Sequence, residues 1–285
     1  MTARRIIDAH HHVWDLKVRP QGWITGEELA PLNRSFAVAD LEPEARAAGV
    51  TATVVVQTVT VPEETPELLA LATEGGLVAG VVGWIDLTAP DVADALDRLR
   101  EQPGGDRLVG IRHQVQEEPD PHWLLRPDVR RGLLAVAASG LAYDLLVKPH
   151  QLPAAVAAAA GLPGLTFVLD HLGKPPIATG ALDPWSDDLR QFAALPNTVC
   201  KLSGLLTEAV PGSWRIEDLQ PYVETALEAF GAQRLLFGSD WPVSTLEAGY
   251  SEVVRITDRL TDSLSPVEKD ALFRLNAMRV YHLGG

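Results

Sequence analysis

Cysteine is almost missing from this chain: Cys200 is its only one. A single thiol can form neither an intrachain disulfide nor a cysteine-rich metal site. Its setting, Thr-Val-Cys-Lys-Leu, is an apolar β-branched run that suits a buried core thiol. Positive charge is also scarce, with 24 Lys and Arg against 38 Asp and Glu and a formal net charge of −14 at pH 7. A field of that sign repels nucleic acid and anionic membranes, so neither is an expected partner. A small substrate stays open, because a site can differ in sign from the whole molecule. No apolar run is long enough to cross a bilayer, since the alanine-rich stretch Ala154 to Ala160 stops at Gly161-Leu162-Pro163-Gly164. Residues 1–5 carry no signal-peptide apolar region, which points to the cytoplasm. Neither a G-x-G-x-x-G nor a P-loop pattern follows any strand-like run, so an open nucleotide-binding sheet is disfavoured.

What the sequence does contain is a repeated alternation. Short, strongly apolar, β-branched runs fall at 6–14, 51–57, 77–86, 108–115, 142–148, 165–172, 198–202 and 234–238. Helix-like segments fall between and after them at 38–48, 62–73, 90–100, 127–139, 152–160, 184–194, 217–230, 246–260 and 266–283. Proline at 90 and 127 fits the first helical turn, and glycine at 49 and 140 fits helix ends. Continuous apolar runs suit parallel strands covered on both faces. Eight strands alternating with helices close most naturally as a (β/α)8 TIM barrel. With hydrophobic residues at 46% and no linker or composition shift, a single domain over residues 1–285 is expected.

The first run reads Ile6-Ile7-Asp8-Ala9-His10-His11-His12-Val13-Trp14. In a strand of period two, Asp8, His10 and His12 share one face and His11 points away. Two imidazoles two residues apart offer a divalent metal two nitrogen ligands. Barrel enzymes act at the C-terminal ends of their strands. There the later runs place Arg112 and His113, Lys148 and His150, Asp170, His171 and Lys174, Lys201 and Ser203, and Asp240 with Trp241. Six of the chain's eight histidines gather at or just past such ends. Each has an ordinary alternative. Histidines can be hydrogen-bonded packing residues, Asp240 a loop cap, the lysines partners of buried carboxylates, and Trp14 and Trp241 helix-packing aromatics rather than pocket walls. Alternation lets Arg112 or His113 face inward, not both. The Gly- and Pro-rich loops 17–33 and 173–183 are the candidate lids.

This set of residues resembles the amidohydrolase superfamily, and within it amidohydrolase family 2, the lactonase-like branch that includes L-fucono- and L-rhamnono-lactonases. The resemblance rests on Ile7 to Asp15, Gly110-Ile111-Arg112, Asp144 to Leu152, Val168-Leu169-Asp170-His171-Leu172-Gly173-Lys174-Pro175, Lys201 to Gly204 and Phe237 to Pro242. The D-H-L-G-K-P segment is the part most specific to that branch.

The resemblance implies His10, His12 and His150 as metal ligands, and Asp240 as both ligand and proton carrier. It places His171 against the substrate as a catalytic residue. The implied cofactor is one divalent ion, zinc by preference, with metal-independent use of the same histidines left open. No bridging carboxylated lysine is evident, which argues against a binuclear centre. The implied reaction is hydrolysis of a sugar-acid lactone to the open hydroxy acid, within carbohydrate catabolism. Arg112, Lys148, Lys174, Lys201, Trp14 and Trp241 are the expected substrate-binding residues. The alternative is a metal-dependent decarboxylase, or a hydrolase, acting on a pyrone- or muconolactone-type carboxylic acid. The expected partner is a small lactone or carboxylic acid, and a homo-oligomer is left open.

Overall fold

The computed structural model describes residues 4–284. Residues 1–3, part of the N-terminal stretch considered above, and residue 285 lie outside it. Eight strands occur among the described residues: β1 (Ile6–His11), β2 (Val50–Val56), β3 (Val78–Gly83), β4 (Leu108–His113), β5 (Ala142–Leu145), β6 (Phe167–Leu169), β7 (Thr198–Leu202) and β8 (Leu235–Phe237). They lie side by side in chain order, every neighbouring pair parallel. Helices α1 (Val38–Ala47), α2 (Glu64–Thr73), α3 (Val92–Arg100), α4 (Pro127–Ala138), α5 (Leu152–Gly161), α6 (Trp185–Ala193), α7 (Ile216–Phe230) and α8 (Tyr250–Leu260) alternate with them. This is the (β/α)8 barrel that the alternation predicts. No helix among the described residues is long and apolar enough to cross a membrane.

The first and last strands are joined by backbone hydrogen bonds at and just past their C-terminal ends. There the His12 amide donates to Trp241 O at 2.7 Å, and the Asp240 amide to His10 O at 2.8 Å. Asp8 ties the same seam. Its Oδ1 accepts from the Ser239 amide at 2.8 Å, and its Oδ2 accepts from the Ser239 hydroxyl at 2.6 Å and the Tyr250 hydroxyl at 2.8 Å. Closure of the barrel and placement of the histidine strand therefore use the same bonds.

Two apolar clusters share the burial. The larger lies between strands and helices. The smaller joins Ile7 and Ala9 to Val54, Val56, Val82, Val168, Val199 and Leu236, with Ala277, Val280 and Tyr281 added from the C-terminal helical run. The alternation of 54 with 56 marks one face of a strand, here the barrel interior.

Several expected elements are shorter than the sequence suggests, and two of them have a specific cause or form. The run 165–172 yields a strand only over Phe167–Leu169, because His171, Leu172, Gly173 and Lys174 all take positive φ, from 52° to 68°. A left-handed backbone cannot continue a pleated strand. Each non-glycine residue held there costs about 1–2 kcal/mol, which tertiary contacts must offset. The run 266–283 forms α9 (Pro266–Asp270), a π-helical turn (Ala271–Leu275) and α10 (Asn276–Val280). It ends where Tyr281 turns inward to donate to Asp144 Oδ2 at 2.8 Å.

Candidate active site

The strand end nearest the seam carries the histidines, but not in simple alternation. A register shift between Asp8 and His11 in the β1–β2 pairing inserts an extra residue, so Ala9 and His10 both face the interior. Asp8 consequently does not share the face of His10 and His12, as the period-two reading expects, but points to Ser239 and Tyr250 on α8's side. His11 does turn away, and its Nε2 lies 2.9 Å from Thr53 Oγ1.

His10 and His12 converge with Nε2 atoms 3.1 Å apart. Asp240 Oδ1 stands 3.8 Å from His10 Nε2 and 3.5 Å from His12 Nε2. Tetrahedral coordination at 2.0–2.2 Å separates ligand atoms by about 3.3–3.6 Å, so this triple fits one divalent ion. His12 Nδ1 lies 2.8 Å from Val56 O. A proton donated there leaves the Nε2 lone pair for a metal. Asp170 Oδ1 lies 3.3 Å from His10 Nδ1 and can fix that ring in the same way. Three protein donors with one open position is the pattern of a catalytic rather than a structural metal site.

His171 completes the group, its Nε2 3.8 Å from Asp240 Oδ1 and its Nδ1 2.9 Å from Ser203 Oγ. Two glycines give these rings their space. A Cβ on Gly204 would lie 2.6 Å from His171 Nδ1, and one on Gly238 would lie 2.7 Å from His10 Cβ. Asp240 itself sits at φ 56°, a strained backbone of the kind concentrated at functional sites.

Electrostatics separates the acids from the bases. Burial pushes the Asp240 carboxyl up, but the His171, His12 and His10 rings together hold it well below the usual carboxylate range. Burial lowers His171, against the raising effect of Asp240 and Asp170. Burial also lowers His10, reinforced by the Lys201 ammonium. These shifts favour ionised Asp240 and Asp170 beside neutral His10 and His171 rings, the protonation states that metal binding requires.

Beneath the histidines lies a charged network in the barrel interior. Lys201 Nζ is 2.5 Å from Asp144 Oδ2, 3.0 Å from Asp170 Oδ1 and 3.0 Å from His10 Nδ1. Arg112, only 2% exposed, donates from Nη1 to Asp170 Oδ2 at 3.1 Å and from Nη2 to Gln57 O. His113 turns outward and stacks on Trp123 with ring centres 4.2 Å apart.

Above the metal-type triple opens a cleft of about 610 Å³, lined among others by His12, Trp23, Thr58, Arg112, Gln114, His171, Lys174, Glu208 and Asp240. The structure thus brings together His10, His12, Asp240, His171, Arg112 and Lys174. It does not bring in the others. His150 and Lys148 are exposed at the start of a short helical turn and do not line the cleft. β5 ends at Leu145, so the chain has left the barrel mouth before it reaches them. Lys201 is fully buried below the cleft, paired with carboxylates rather than facing substrate. Trp14 and Trp241 are buried against Phe36, at ring distances of 5.1 and 5.5 Å, and are not cleft walls.

Trp23, Thr58 and Glu208 line the cleft without having been singled out from the sequence. Thr58 directly follows the second apolar run, and Trp23 lies within the loop 17–33 identified as a candidate lid. Glu208 carries no local signal.

Comparison with known proteins follows the same lines. A family model described as amidohydrolase matches residues 7–283. An L-fucono-1,5-lactonase from Burkholderia multivorans is 40% identical over 291 residues, covering 97% of this chain and 96% of that one. Another from Burkholderia ambifaria is 41% identical over 246 residues, covering 86% and 83%. A crystal structure of an amidohydrolase from Burkholderia multivorans with bound zinc superposes with TM-score 0.92 at 41% identity, covering 98% of this chain and 99% of that one.

Proposed function

The chain belongs to the amidohydrolase family, and from that premise we propose that it hydrolyses a sugar-acid lactone, of the L-fucono-1,5-lactone type, to the open hydroxy acid. The observation that carries this is the convergence of His10, His12, Asp240 and His171 on the floor of one cleft. The relatives named as L-fucono-1,5-lactonases support the substrate class.

His10, His12 and Asp240 would hold one divalent ion, zinc by its preference for nitrogen and carboxylate donors at tetrahedral spacing. Bound there, it would supply Lewis acidity, polarising the ester carbonyl and lowering the pKa of water toward about 7. Asp240 accepts one proton as the water oxygen bonds to the lactone carbonyl carbon. The tetrahedral oxyanion that results is stabilised by His171 and by Arg112, whose Nε has no protein partner. As the ring C–O bond breaks, Asp240 returns its proton to the departing ring oxygen.

The charge of the cleft favours a neutral polyhydroxylated ring over a dicarboxylic pyrone. Its lining cations are Arg112 and Lys174, and each is already paired, with Asp170 and Glu208. Glu28, Glu117 and Glu247 line it as well. A substrate carboxylate would meet two cations whose charge carboxylates already balance and three further glutamates, a costly arrangement. Hydroxyl groups, which donate to carboxylates, meet no such obstacle.

The deciding experiment is a panel of aldono-lactones, simple lactones and pyrone dicarboxylates followed by pH indicator, with and without chelator, with product masses measured. Ring opening of aldono-lactones with gain of one water and no carbon dioxide is expected. Turnover of the dicarboxylates alone, or release of carbon dioxide, would overturn the proposal.

A further inference from the structure

Trp23 lies on the loop between β1 and α1, partly exposed, and lines the same cleft as His12, Arg112, His171 and Asp240. Its ring is held by two contacts. The indole Nε1–H donates to Oε1 of the buried Gln21 at 2.9 Å, and the ring stands edge-to-face with Trp14 at 5.6 Å and 87°. Trp14 in turn meets Phe36 at 5.1 Å, and Phe36 meets Trp241 at 5.5 Å, both edge-to-face. Trp241 directly follows Asp240. A run of four rings thus connects the residue after the carboxylate to the cleft wall, with Trp23 its last member and its only half-buried one. The polar handle of the indole is used internally, so what the ring offers the cleft is apolar aromatic surface.

We infer that Trp23 is a specificity-determining residue, the platform against which the C–H face of the sugar-lactone ring lies during hydrolysis. The inference rests on the lactonase proposal above. A polyhydroxylated ring has two kinds of surface, hydroxyls at its rim and polarised C–H groups on its face. The carboxylates of this cleft suit the first, and an electron-rich aromatic face suits the second. Holding the ring beforehand lowers the ordering cost on binding, because the side chain has less rotamer freedom to lose. The loop itself is fastened to the chemistry: Trp14 donates its amide to Phe36 O at 3.0 Å, and Trp14 Nε1 donates to Arg34 O at 2.7 Å.

The test compares wild type with Trp23→Ala, Trp23→Phe and Trp23→Leu on an aldono-1,5-lactone and on unsubstituted δ-valerolactone, whose C–H groups are less polarised. Trp23→Ala is expected to raise KM for the sugar lactone about tenfold, the scale of a lost aromatic contact. Its kcat is expected to change much less, so that selectivity over δ-valerolactone falls. Phe should restore most of the selectivity and Leu should not, which separates the π-face from simple packing. An unchanged KM, an equal loss on both lactones, or equal rescue by Leu and Phe would overturn the inference while leaving the lactonase proposal standing. Wild type inactive on every aldono-lactone would overturn both, and that is visible before any variant is made.

Discussion

The ammonium of Lys201 lies 3.0 Å from Nδ1 of His10, with no exposure of either side chain. A charge placed there is tolerated because Asp144 and Asp170 face it at 2.5 and 3.0 Å, and Tyr281 donates to Asp144 from the C-terminal end of the chain. The floor of the site is therefore braced by an ionic network that never meets solvent.

Breaking that network on one side should be severe. Lys201→Met leaves two buried carboxylates without their shared cation, and about 3–5 kcal/mol of stability is expected to be lost. Tyr281→Phe removes one hydrogen bond to a charged acceptor and should cost about 1.5–3 kcal/mol. Urea unfolding of both variants checks the order. A Lys201→Met protein as stable as wild type would show that the network contributes nothing net.

The metal-type triple separates His10 and His12 from His150. His10→Ala and His12→Ala should abolish stoichiometric zinc binding, measured by elemental analysis after dialysis. His150→Ala should retain zinc and activity within about twofold, because the side chain is exposed outside the cleft. Loss of zinc from the His150 variant would return that residue to the site.

Asp240→Asn keeps the shape of the side chain and removes its basicity. A fall in kcat of about 10²–10⁴-fold is expected, with an unaltered circular dichroism spectrum. Near-normal turnover would remove Asp240 from the proton path.

Gly204→Ala tests the space around His171. The added Cβ would lie 2.6 Å from His171 Nδ1, on a backbone at φ 63°. The ring must move away from Ser203 or the loop must open. A kcat loss of about 10- to 100-fold is expected alongside about 1–3 kcal/mol of destabilisation.

Acid should weaken the fold partly through His113. Burial lowers this ring from its ordinary 6.5, against the pull of Glu118 and Asp86. Trp84 Nε1 donates to its Nδ1 at 3.0 Å, a bond that protonation destroys. With the folded pKa below the unfolded one, the unfolded chain binds the proton first. This contribution is complete above about pH 6.5 and is lost as pH falls toward the folded value. Melting temperatures recorded from pH 8 to pH 5 should therefore decline less steeply in His113→Gln than in wild type. Parallel curves would exclude His113 as a source.

The barrel was legible in the sequence because parallel strands buried on both faces must be continuously apolar. Nothing else in the chain imitates those eight runs. His10, His12, His171 and Asp240 were legible because strand ends of a barrel share one rim, so position along the strand is enough to place them. Sequence position failed beyond the rim. His150 and Lys148 fall past the end of β5, where a turn carries them into solvent, and no local pattern tells a ligand from a residue a few steps too far. Trp14 and Trp241 looked like pocket walls because each sits beside a site residue, yet adjacency along the chain says nothing about which side of a strand a ring packs.

By itself, then, the sequence determined the alternation, the histidine pair and the rim on which the site stands, since these follow from local periodicity. Tertiary structure decided the rest. The bulge in β1 turned Asp8 out to seal the barrel. Four left-handed residues in a row aimed His171 at Asp240. The closure of β1 on β8 brought residues 10, 12 and 240 to within one ion's reach. The distances that make a site are set by packing between segments far apart in the chain, and that packing is not encoded in any one of them.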